Sequence, residues 1–86
     1  MTPITVEKPM SIKAEVIEVI QTLIAACGAQ TFIELASEVY QQSPSVSTPS
    51  QANDLTTKAL KALLAVNRLR SGLVDGAVFY GHRNDF

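Results

Sequence analysis

The chain is 86 residues long, 47% hydrophobic and only 17% charged, with a formal net charge of −1. That length holds one domain, and the near-neutral balance removes any bulk electrostatic argument for nucleic acid or an anionic membrane while leaving local patches open. Cys27 is the only cysteine and His82 the only histidine, so an intrachain disulfide is excluded and a structural zinc site, which takes about four ligands, lacks its donors.

A domain this small hides a modest share of its surface and is commonly helped by disulfides, a metal or a second copy of itself. With the first two gone, a homodimer is the expected aid. The opening MTPITVEKPM has neither a basic stretch nor a long apolar core, so it does not read as a secretory signal. No apolar run approaches the ~20 residues a membrane span needs. A lone thiol fits a reducing compartment. The expectation is a cytoplasmic protein with no membrane partner.

Residues 1–10 contain two prolines and little periodicity, and read as an extended or disordered arm preceding a single domain over 11–86. Within the arm, Ile4-Thr5-Val6 has the composition of a short strand, though nothing demands one. Ser11 is suited to cap a helix, with Glu15 near its first turn. Ile12, Val16, Val19, Ile20, Leu23 and Cys27 then recur at helical spacing. Ile17 and Ile24 widen this stripe to roughly 160°, against the ~100° that suffices for one neighbour. Gly28 is a natural stop. Thr31-Phe-Ile-Glu34 matches a capping box and opens a second helix to about Gln42, with Phe32, Leu35, Ala36, Val39 and Tyr40 on its apolar face. The short connection predicts an antiparallel helical hairpin.

Residues 43–53, SPSVSTPSQAN, are rich in serine, threonine and proline and read as a polar linker, with Val46 its only large apolar residue. A third helix is predicted from Asn53 or Asp54, with Leu55, Ala59, Ala62, Leu63 and Val66 on its face and Leu60, Leu64 and Leu69 broadening it. Its end admits two readings. The helical period survives Gly72 and carries Leu73, Val74, Ala77 and Tyr80 on the same face, which favours a long or kinked helix stopping at Gly81. The competing reading is a β-hairpin around an Asp75-Gly76 type I′ turn. The fold class expected on this basis is all-α: a helical hairpin plus a long C-terminal helix, completed as a helical bundle by homodimerisation.

No catalytic residue, cofactor or metal is assigned. His82 near a helix C-terminus is explained by the helix dipole. Cys27, on the apolar stripe and far from any helix N-terminus, reads as a small buried hydrophobe. Asn67 and Arg70 are different, because both project toward the apolar side of the third helix. A polar residue there can fix register in an interface. The stripes offer more apolar surface than one small bundle easily covers. The candidate interface is therefore Ile17, Ile24, Leu60, Leu64, Asn67, Arg70 and Tyr80. The function this supports is a small non-enzymatic protein–protein interaction module, an adaptor or regulator with an unidentified protein partner. The alternative is a small nucleic-acid-binding regulator. Its residues would be Lys58, Lys61, Arg68, Arg70 and Arg83, because the cations gather in the C-terminal half while Glu7, Glu15, Glu18, Glu34 and Glu38 occupy the other.

Overall fold

A computed structural model describes residues 11–86; the expected arm over 1–10, with its Ile4–Val6 fragment, lies outside the described residues. Helix α1 runs Ile12–Cys27, strand β1 Gln30–Thr31, α2 Phe32–Gln42 and α3 Pro49–Ala65. Strands β2 (Arg70–Val74) and β3 (Ala77–Gly81) follow, and a 3-10 turn at Arg83–Asp85 ends the description. The fold is α+β, three helices and a three-stranded antiparallel sheet, and the all-α expectation is wrong.

The first two helices form where their caps place them. The Ser11 hydroxyl accepts the Ala14 N–H at 3.1 Å, and Gly28 closes α1 with φ of 83°. The Thr31 hydroxyl accepts the Glu34 N–H at 3.3 Å while Glu34 Oε1 accepts the Thr31 N–H at 2.9 Å, a complete capping box. The Thr31 N–H, and the Thr31 hydroxyl that also donates to Glu34 Oε1 at 3.0 Å, hold the Glu34 carboxyl below its ordinary pKa.

The third helix starts earlier than expected. Thr48 caps it by accepting the Gln51 N–H at 3.1 Å, Pro49 fills the first turn, and Gln51 Oε1 accepts the Ser47 N–H at 2.8 Å. The linker shrinks to residues 43–48. It is tied down by buried Val46 and by Ser45, whose hydroxyl donates to Glu15 at 3.2 Å.

The third helix also ends earlier. Asn67 adopts φ of 60°, the Arg68 N–H donates to the Leu63 carbonyl at 2.9 Å and the Asn67 N–H to Leu64 at 3.1 Å. This is a Schellman closure with Asn67 in the left-handed position that glycine usually fills. The chain then turns into β2 instead of continuing through Gly72. Asp75 and Gly76, with φ of 51° and 81°, make the two-residue hairpin turn. Thus the helix expected over 72–81 is a β-ribbon. Gly72 lies under the Phe86 ring, where a Cβ would come within 2.8 Å of it, so the residue that weakened the helix reading has a packing reason to be glycine.

The sheet order is β1-β3-β2. Gln30 pairs with Tyr80 and Thr31 with Phe79, so the two-residue strand between α1 and α2 anchors the ribbon to the helices. The core is Val16, Ile20 and Ile24 of α1, Leu35 and Val39 of α2, and Ala52, Leu55, Ala59, Leu60 and Leu63 of α3, with Val46 and Leu69 from the connections. Tyr80 packs against it from the sheet. The sheet and the connections therefore cover part of the width that had been assigned to a dimeric bundle. Cys27, read as a buried hydrophobe, is exposed in the last turn of α1.

Candidate nucleic-acid interface

Helix α3 is amphipathic in a way that sorts its chemistry. Ala52, Leu55, Thr56, Ala59, Leu60 and Leu63 are buried. Ser50, Asn53, Asp54, Thr57, Lys58 and Lys61 are exposed on the opposite side. Asp54 and Lys58 form an i,i+4 ion pair at 3.1 Å, with both side chains more than half exposed, so it is worth little in stability. Among the described residues it is the one ion pair, leaving Lys61, Arg68, Arg70 and Arg83 without a carboxylate at contact distance.

The ribbon brings three of those cations to one end. Arg70 opens β2 and pairs with Gly81 at the close of β3, Arg68 stands two residues before it, and Arg83 two residues after Gly81. All three are exposed. Asp85 stands at the same end, where its Oδ2 accepts the His82 N–H at 2.7 Å, so one carboxylate offsets the three cations there. Asp75 is at the far tip of the ribbon. Residues 49–86 hold five cations against three acids, whereas residues 11–48 hold one cation against four acids. The overall charge conceals a polar molecule.

Lys13 of α1 stands beside Lys58. It lines a groove between α1 and α3 with Ile17, Leu55, Lys58, Ala59 and Ala62. Sequence reasoning missed it because it was counted with the acidic half. The missed start of α3 did carry a signal, since Thr48-Pro49-Ser50-Gln51 has both the capping-box spacing and proline at the first helical position.

The candidate interface residues do not share one face. Ile24 and Leu60 are consumed by the chain's own core. Ile17 is half-buried in the α1–α3 groove. Leu64 and Tyr80 are half-buried in a second groove, with Phe32, Thr57, Leu60 and Lys61. Asn67 is an exposed helix terminator and Arg70 an exposed ribbon residue. Of the seven, Leu60, Leu64 and Tyr80 come together. A third groove, between α2 and the start of α3, is lined by Phe32, Ile33, Ala36, Ser37, Tyr40, Pro49 and Asn53. Ile33 there is 79% exposed.

His82 sits at the base of the ribbon, at the opposite end from Asp75. Among the described residues no group of three histidine, cysteine, aspartate or glutamate side chains gathers as metal ligands, and no helix is long and apolar enough to cross a membrane. No protein-family model, curated protein or solved structure matches the chain.

Proposed function

We propose that this chain is a small non-enzymatic regulator that binds duplex nucleic acid through α3 and the β-ribbon. The supporting observation is the order of elements. Two helices joined by a turn, α2 and α3, are followed by an antiparallel ribbon whose base carries Arg68, Arg70 and Arg83. This is the layout of a helix-turn-helix with a β-ribbon wing, in which the second helix enters the major groove and the ribbon meets the backbone. The link of residues 43–48 is longer than the three or four residues usual in that motif. Architecture and charge placement together support this reading.

Phosphate contacts release counterions, which makes the test a salt titration. If Arg68, Arg70 and Arg83 all met phosphates, log K would fall with log salt at a slope of about −3. Arg70→Ala should reduce the magnitude of that slope by about 1. Filter binding that is flat with salt would sink the proposal.

A second reading keeps the protein–protein module, including a homodimer. Exposed Ile33 and Tyr40 in the α2–α3 groove favour it, as do exposed Leu73 and Val78 paired across the ribbon. Sedimentation at micromolar concentration decides the homodimer: a single 9.3 kDa species removes it. The two readings are compatible, because helix-turn-helix proteins often bind as dimers to paired half-sites. The setting we propose is the cytoplasm, where an exposed unpaired Cys27 stays reduced.

A further inference from the structure

An exposed row of side chains runs up α3 beside the grooves it shares with α2 and β3: Ser50, Asn53, Thr57 and Lys61, at steps of three and four residues. Each has a defined hydrogen-bonding state. The Thr57 hydroxyl donates to the Asn53 carbonyl at 2.9 Å, so its proton is used inside the helix and its methyl group and a lone pair remain. Among the described residues the Asn53 side-chain amide has no partner and Lys61 has no carboxylate at contact distance. The one acid nearby, Asp54, is neutralised by Lys58 at 3.1 Å on the adjacent row.

Resting on the nucleic-acid reading, we infer that α3 is sequence-selective for double-stranded DNA, with Asn53 reading adenine and Lys61 reading guanine in the major groove. An amide placed flat against adenine accepts from N6 and donates to N7, and an ammonium donates to guanine O6 and N7. Thr57, between them, presents its methyl group to a thymine methyl. Eight residues separate Asn53 from Lys61, about 12 Å of helix at 1.5 Å per residue. A helix lying in the groove is inclined to the duplex axis, so at ~3.4 Å per base step the two bases stand at most about three to four steps apart. The cations at the ribbon base supply the positioning contacts and carry no sequence information.

The experiment is selection of bound duplexes from a randomised DNA library by the full chain, followed by binding to the enriched site by wild type, Asn53→Ala and Lys61→Ala. Both positions are exposed, and a thermal melt confirms that each variant folds. The expected result is a motif with adenine and guanine no more than about four steps apart. Asn53→Ala should relax the preference at the adenine alone, and Lys61→Ala at the guanine alone, each by roughly tenfold to a hundredfold. Salt-sensitive binding that enriches no motif, or a motif indifferent to both variants, overturns this inference and leaves the nucleic-acid reading standing. Failure to retain any duplex at low salt overturns both.

Discussion

Asn67 offers the sharpest test of how this chain turns from helix to ribbon. Its φ of 60° places an L-residue in the left-handed region, where a side chain with a Cβ costs about 1–2 kcal/mol and asparagine somewhat less. The side chain is exposed and makes no hydrogen bond among the described residues, so substitution removes no contact. Asn67→Gly relieves the strain, offset in part by ~0.4–1 kcal/mol of extra unfolded-state entropy, for a net gain of about 0.5 kcal/mol. Asn67→Ala keeps the Cβ and loses asparagine's tolerance, at a cost of about 1 kcal/mol. The ladder Gly, Asn, Ala then spans about 1.5 kcal/mol, or roughly 6–12 °C in Tm for a domain of this size. Urea unfolding at two protein concentrations measures it. Asparagine as the most stable of the three, or a ladder that changes with concentration, would refute the account and return Asn67 to an interface.

Other substitutions probe the remaining joints. Among the described residues the fully buried Thr56 hydroxyl has no hydrogen-bond partner, so Thr56→Val should stabilise the fold by about 1 kcal/mol in denaturant titration; a loss of that size means the hydroxyl is satisfied. Ile20→Ala, at the fully buried centre of α1, should cost about 2–5 kcal/mol through the cavity it leaves, and a cost under 1 kcal/mol contradicts the packing described. Thr31→Ala should cost about 1 kcal/mol by opening the capping box. Because the folded-state pKa of Glu34 is lowered, its contribution is present above the ordinary carboxylate range and is lost as pH falls through the folded value. The stability gap between wild type and Glu34→Ala should therefore close on acidification, and a gap that persists at low pH argues that the carboxylate is not what matters.

The chain's local signals were legible wherever one stretch of residues contained its own instructions. Ser11, Gly28 and the Thr31–Glu34 box set the limits of α1 and the start of α2, because caps act within a turn. The buried positions Val16, Ile20, Leu35 and Val39 lie on the stripes that periodicity marks. The clustering of cations in the C-terminal half was legible too, but not that Arg68, Arg70 and Arg83 would stand at one end of a ribbon. The start of α3 was written locally as well, in Thr48-Pro49-Ser50-Gln51, and was obscured by the polar composition around it.

Residues 70–81 are where sequence and fold part company. Their apolar spacing fits a helix, and their Asp75-Gly76 pair fits a hairpin. Local chemistry leaves these close in free energy, since an isolated two-stranded hairpin is marginal. The decision rests on Gln30 and Thr31, which pair with Tyr80 and Phe79 from the other end of the chain. That contact exists only where α1 and α2 bring β1 to the ribbon, while Phe86 over Gly72 is a contact within the C-terminal segment itself. The sequence by itself determined two capped helices and a charge divided between its halves. Tertiary structure decided the α+β fold and gave α3 an outward polar face, because strand pairing is non-local and no window of residues holds both partners.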